Sequence, residues 1–298
     1  MNVAVLASPD DVATLVPILD VLRQVGAPAY GLKIRDSWES LPRGEIFRRV
    51  DKASHFLVLC SRGSAAKSWF SFAAGFGVGR GSRTALFRLE PSWDPPPYLA
   101  ALPILDDLEE LASYFRLERA EWLVQETRRN ARSALLEMGI SFHADSLAQC
   151  VRDGDLKAVE LFLRAGHHPD ARDRHGVPLL CLAARGRHLS VANLLVEAGA
   201  SLDLQSEDRG YSALMDAVHS GAAEIVELLL SRGAALDLRS KDGQTALVVA
   251  VGKGDARMAK RLLDFGADPD AADKLGLSAR RYAALFKDPA MLAAFEGK

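Results

Sequence analysis

Few residues in this 298-residue chain stand in patterns that could do chemistry. Ser64 and Ser68 are candidate nucleophiles, but no histidine and acid accompany them in an activating arrangement, and His55 heads an apolar run pointing away. His167-His168 is spaced like a metal pair, yet it falls in an outward turn after Gly166 without carboxylate or cysteine spacing to match, so no metal is expected. Cys60, Cys150 and Cys181 are far apart and form no CxxC motif, which leaves neither a disulfide framework nor a zinc site. They read as small buried apolar residues. The alternation Gly75-x-Gly77-x-Gly79-x-Gly81 has the composition of a phosphate loop. It follows a helix, however, where phosphate binding needs a strand leading into a helix start, so the glycines read as helix termination. Asp106, Asp107, Glu109 and Glu110 read as the acidic amino end of a solvated helix. Glu39 and Glu45 flank a polar loop and could approach a pocket, and Arg35, Arg43, Arg48, Arg49 and Lys52 form a basic cluster around it.

The elements that must position these groups alternate between strand and helix. Residues 2–8 (NVAVLAS) are a continuous apolar run, as expected of a strand covered on both faces. Ser8-Pro9-Asp10-Asp11 reads as a helix start, with Ser8 capping and Pro9 pre-setting the first turn. The helix carries Val12, Leu15, Val16, Leu19 and Leu22 on one face and stops at Gly26. Further strands are expected at about 28–34, 55–60 and 84–89, with a short fifth near 98–104. Helices are expected at about 45–53, 66–78, 106–116 and 118–138, and Trp69, Phe70, Phe72 and Phe76 read as sheet-packing residues. Short connections between alternating elements predict a flavodoxin-like parallel α/β sheet. Functional groups should then lie in the loops after residues 8, 34 and 61, at the carboxyl ends of the strands.

Four motifs in this half carry a likeness: Ser8-x-x-Asp11, Leu41-Pro-Arg-Gly44, the strand ending FLVLCS, and Ser68-Trp69 opening a helix with a glycine-rich end. Together they resemble a Toll/interleukin receptor (TIR) domain of the bacterial type over about residues 1–105. The resemblance implies cleavage of NAD between nicotinamide and ribose, supported by a Glu four residues beyond the Trp. Ala73 occupies that place here. A fixed negative charge stabilises the cation-like ribosyl centre of such a reaction, and losing one preorganised stabiliser costs ~10²–10³ in rate. No acid occurs from Lys52 through Leu89 to replace it. The reading is a catalytically silent TIR-like domain with no catalytic residue. What it could retain is binding of NAD or a related nucleotide through Ser8, Arg35 and Trp69 without turnover. The alternative is a divergent NAD glycohydrolase using Glu39 or Glu45, targeted or restrained by the rest of the chain. The resemblance also implies self-association through the loop 35–44 and the helix starting near Ala66.

The second half repeats itself. Gly166, Gly199, Gly233 and Gly266 are 33, 34 and 33 residues apart, and Gly176, Gly210, Gly243 and Gly276 are 34, 33 and 33 apart. Each glycine of the first series follows an amphipathic helix, and each of the second precedes a shorter one. One such unit cannot bury its apolar stripe alone, so the units must stack. Gly243-Gln-Thr245-Ala-Leu247-Val-Val-Ala250, with Gly254 and Leu262-Leu263-Asp-Phe-Gly266-Ala267, resembles the ankyrin repeat. About five units are expected over 142–298, the first and last degenerate, joined to the sheet domain by connecting helices at 106–141. The resemblance implies protein binding through hairpin tips and inner short helices. Arg174, His175, Arg185, Asp208, Arg209, Tyr211, His219, Lys241, Gln244 and Lys253 fall at variable outward positions, with Tyr211 as anchor. With Asp242 also outward, five of these positions are basic and two acidic, which favours a partner with an acidic patch.

The chain as a whole is compositionally ordinary. It is 49% hydrophobic and 26% charged with a formal charge of −2, which excludes global disorder and gives no field to attract nucleic acid. The first residues lack a basic stretch before their apolar run, and no run approaches ~20 apolar residues, so neither signal peptide nor membrane span is expected. A cytoplasmic interaction protein without cofactor is the expectation.

Overall fold

The computed structural model describes residues 1–34 and 50–296. The loop after the second strand, with Arg35, Glu39, Arg43, Glu45, Arg48 and Arg49, lies outside the described residues. The chain forms two compact units, Met1–Glu126 and Thr127–Lys298.

In the first unit, strands β1 (Val3–Ala7), β2 (Ala29–Lys33), β3 (His55–Cys60), β4 (Arg83–Arg88) and β5 (Ile104–Leu105) form one sheet in the order β2-β1-β3-β4-β5. Every pairing is parallel. Side chains alternate between two buried faces, as a doubly covered sheet requires. Ala4, Leu6, Phe56, Val58 and Cys60 join one core with Trp69 and Phe70. Val3, Val5, Leu57 and Leu59 join the other with Ile18, Leu22, Leu111 and Phe115.

Ser8 caps a 3-10 segment, Pro9–Thr14, which runs into helix α1 (Leu15–Gln24). Leu15, Ile18 and Leu22 are buried, whereas Val16, expected on the inner face, lies about 100° round α1 from Leu15 and is exposed. The expected turn at Ser61–Ala65 is itself a short helix α2 (Arg62–Ala65), closed by a reciprocal Ser61–Ser64 capping pair, and helix α3 is Ser68–Gly79. The glycine run does more than end α3. A Cβ on Gly77, inside the helix, would meet the Thr84 hydroxyl at 2.4 Å, so that glycine permits the close approach of helix to β4. Gly81, at φ +69°, makes the turn.

The two expected connecting helices are one, α4 (Leu108–Glu137), because no Pro or Gly interrupts 108–137. Asp107 accepts bonds from the Glu109 and Glu110 amides and so caps its start, at the acidic helix end read from the sequence. Among the described residues, no helix is long and apolar enough to cross a membrane.

The second unit stacks five helix pairs: α5 (Ala144–Asp153) and α6 (Leu156–Arg164), α7 (Leu179–Gly186) and α8 (Leu189–Glu197), α9 (Ala213–Ser220) and α10 (Ala223–Ser231), α11 (Ala246–Gly252) and α12 (Ala256–Asp264), α13 (Ala279–Phe286) and α14 (Pro289–Phe295). One contiguous apolar core runs through them from Leu135 to Phe295. Arg187 and Lys287 hold the left-handed conformation that glycine holds at Gly154, Gly221 and Gly254.

Polar ladders tie successive repeats together at the same period. The carboxylates of Asp170, Asp203 and Asp237 accept amides one repeat further on, at Ser201, Ala235 and Asp268, over 2.7–3.0 Å. Arg172, Gln205 and Arg239 donate to the carbonyls of Gln205, Arg239 and Ala272. Hairpin tips also meet directly, through the Lys241 amide to the Arg209 carbonyl and the Lys274 amide to the Asp242 carbonyl, both 3.0 Å. Replacing Asp203 by Ala therefore removes a charge-assisted bond between repeats and should cost ~1.5–3 kcal/mol. Asp270→Ala, where the exposed carboxylate pairs with Arg280, should cost under ~1 kcal/mol. Urea denaturation midpoints of the two variants check the difference.

Candidate functional site

Two places were singled out by the sequence. At the carboxyl edge of the sheet, the β1 and β3 loops lie side by side where the strand order reverses. Ser8 is buried there, and its hydroxyl oxygen accepts from the Lys67 ammonium at 3.4 Å while Lys67 also pairs with Asp10 at 3.1 Å. Ser61 donates to Asp11 at 3.4 Å, and burial raises the Asp11 carboxyl above its ordinary value against that bond. The Cys60 thiol is pushed up to about 12 by burial, so it is inert at neutral pH.

Trp69 is 1% exposed and its indole nitrogen has no partner among the described residues. Arg35, Glu39 and Glu45 lie outside the described residues, so of the nucleotide-site candidates Ser8 and Trp69 are the pair the structure places. Ala73 belongs to the same apolar core as Trp69, Phe70 and Ala74 and is 4% exposed. It is a packing position, and Ala73→Glu would press a larger, ionisable group into that core. Such a variant should lose ~2 kcal/mol or more of stability, read from its urea midpoint against the parent.

At the opposite edge a cluster escaped the sequence reading. His55 is 2% exposed, with Nδ1 at 2.8 Å from the Ser54 hydroxyl and Nε2 at 3.1 Å from Glu118 on α4. Arg83 donates to Glu118 and Glu121. Ser54 is itself tied to the Asn2 backbone, accepting its amide and lying 3.2 Å from its carbonyl. The arrangement is thus a fastening of α4 to the sheet, with a hydroxyl already committed to backbone. Burial lowers the His55 pKa, opposed by the Glu118 hydrogen bond. A histidine held neutral in the fold stabilises it fully above the ordinary imidazole value of 6.5 and progressively less as pH falls below it. The parent should therefore lose stability between neutral and mildly acidic pH, and His55→Gln should flatten that slope in denaturation curves collected across the range.

The repeat face brings most of the remaining candidates into one network. Arg185 donates to Asp208 through two nitrogens, to Asp216 at 2.9 Å and to the Ser206 hydroxyl. Asp216, with no exposed side-chain surface, also accepts from Arg209 at 2.9 Å. Burial pushes the Asp216 carboxyl up to about 6 against these two guanidiniums, whereas Asp208, bonded by Arg185, is held well below the usual carboxylate range. Arg209 lies over the Tyr211 ring at 4.7 Å, and the Tyr211 hydroxyl donates to Gln244 at 3.2 Å. Tyr211 is only 8% exposed, so the expected anchor is mostly spent within the fold, bridging repeats. His219 packs edge-on against it at 6.1 Å.

Four candidates stand apart from that network. Arg174 and His175 sit exposed on an earlier hairpin, bonded to one another at 3.1 Å. Lys253 is exposed on the inner face, and the Lys241 ammonium caps the Glu207 carbonyl. His167 is half-buried against Phe142 and Phe162, not outward in solvent, and among the described residues no cluster is suited to a metal ion. The sequence reading also missed Arg152, paired with the buried Asp173, and Asp216 itself. The 33-residue period could have found Arg152, since it precedes the helix-ending Gly154 by the interval that separates Arg185 from Arg187.

Stacked helix pairs with hairpin tips in register and left-handed helix ends define an ankyrin-repeat protein. Family models for ankyrin repeats match residues 147–240 and 229–283. An ankyrin repeat-containing protein of Treponema pallidum is 34% identical over 275 residues, 92% of each chain, so the chain belongs to the ankyrin repeat-containing proteins. An alignment of that length takes in the sheet unit as well as the repeats. Protein HOS4 of Saccharomyces cerevisiae is 36% identical over 115 residues, 38% of this chain and 10% of that one. The mitochondrial disaggregase of Bos taurus is 31% identical over 140 residues, 46% of this chain and 21% of that one.

Proposed function

We propose that the chain is a non-enzymatic interaction protein. Its ankyrin stack selects a protein partner with an acidic segment, and its sheet unit is a TIR-like module that does not turn over NAD. The observation that carries the first part is how charge is disposed on the hairpin and inner-helix face. Asp173, Asp208 and Asp216 are committed to arginines within the fold, while the cations Arg174 and Lys253 face solvent. Arg174 and Lys253 are thus the cations this face offers a partner, beside the exposed Glu207 and Asp242 on its hairpin tips.

The TIR-like reading rests on the sheet order β2-β1-β3-β4-β5, on the Ser8 and Ser61 caps at the strand ends, and on Ala73 standing in a packing position where the likeness places a carboxylate. Phe72 and Val78 on α3 are exposed apolar side chains, a feature that suits self-association through that helix. Three buried free thiols suit a reducing cytoplasm.

Full-length protein incubated with NAD should release no nicotinamide; clear turnover would overturn the non-enzymatic reading. A partner captured by the parent should be lost from a variant carrying Arg174→Glu and Lys253→Glu together, and should dissociate as salt rises. A captured partner indifferent to both changes would contradict the acidic-partner assignment.

A further inference from the structure

A cavity of about 480 Å³ opens on this face between Arg152, Asp173 and His175 on one side and Arg185 and Asp208 on the other. Its floor is apolar: Val177 and Leu182 line it and both are buried. Gly186, on its wall, contributes no side chain. The cavity is therefore a slot with an apolar base and charged sides, with volume enough for one side chain of a partner.

Donor capacity is left over on those sides, chiefly at Arg152. Asp173 accepts the His175 and Val177 amides at 2.9 Å each through one oxygen and Arg152 through the other. Asp208 takes two bonds from Arg185 and the Arg209 amide. Arg185 spends all three of its nitrogens on Asp208, Asp216 and Ser206. Arg152, 37% exposed at its side chain, commits one nitrogen to Asp173. A guanidinium has five N–H donors in a planar fork, so an open edge remains at Arg152. An incoming ammonium would have to approach two guanidiniums that already neutralise both carboxylates, whereas an incoming carboxylate finds a donor edge already oriented by Asp173.

Resting on the acidic-partner reading above, we infer that this cavity is the specificity pocket of the stack. It takes a glutamate side chain of an extended acidic segment, with the methylenes on Val177 and Leu182 and the carboxylate on the open edge of Arg152. Asp173 acts as a positioning residue, holding the guanidinium without contact to the partner. Arg185, fastened by Asp208 and Asp216, forms the rigid far wall.

Fluorescence anisotropy of the full-length protein with three labelled dodecapeptides tests this: alternating Gly-Glu, Gly-Gln and Gly-Lys. The Glu peptide should bind about tenfold or more tighter than the Gln peptide at low salt, and the Lys peptide most weakly. The double variant Arg152→Gln with Asp173→Asn keeps a polar pair able to bond across the same gap, and should bring the Glu peptide to within about twofold of the Gln peptide. Arg261→Gln, which alters a guanidinium paired with Glu227 outside the cavity, should leave the preference intact. A Glu preference that survives the double variant overturns the pocket and leaves the acidic-partner reading standing. Equal binding of all three peptides overturns both.

Discussion

The interaction on which this molecule depends is the joint between one repeat and the next. A helix pair of about twenty residues exposes an apolar stripe on either side, and only a neighbour covers it. Burial by itself is indifferent to sliding; it rewards any arrangement that removes apolar area from water. The Asp170, Asp203 and Asp237 carboxylates and the Arg172, Gln205 and Arg239 side chains remove that freedom, because each reaches a named backbone group one repeat away. Hairpin tips held at that spacing put Arg152, Asp173, Arg185 and Asp208 around one cavity although they come from separate repeats.

Much of the architecture was legible in the sequence, and the reason is periodicity. Glycines at 33 or 34 residues mark the turns, and Arg187 stands in the sequence where Gly221 and Gly254 end other short helices. The continuous apolar runs at Val3–Ala7 and His55–Cys60 are strands covered on both sides, and Ser8-Pro9 starts a helical segment. Local signals failed where a neighbouring segment decides the outcome. Gly77 looks like a helix terminator until Thr84 of the next strand lies where its side chain would be. Val16 lies about 100° round α1 from Leu15, and the buried face centres on Leu15, Ile18 and Leu22, which leaves it in solvent.

The site was less legible than the fold, for a related reason. Sequence reading sorts residues into outward and inward, but a charged outward residue can be consumed by another sixty positions away. His55 and Glu118 meet across 63 residues, and Arg185 and Asp216 across 31. Tyr211 looks like a free aromatic anchor because nothing local shows Arg209 over its ring and Gln244 at its hydroxyl. What can bind a partner is the remainder after these internal pairings, and that remainder becomes visible only once the stack is built.

The joints also have a direction. Every interior unit carries its own forward-reaching carboxylate and its own forward-reaching donor, and presents the amide and carbonyl that the preceding unit seeks; at the far end Ala272 receives and passes nothing on. A unit copied whole into the middle of the row would bring both halves of the joint with it. Duplication of a segment of the coding sequence could thus lengthen this molecule without inventing a single new contact, and the charges displayed on each added copy would be free to drift toward a different ligand.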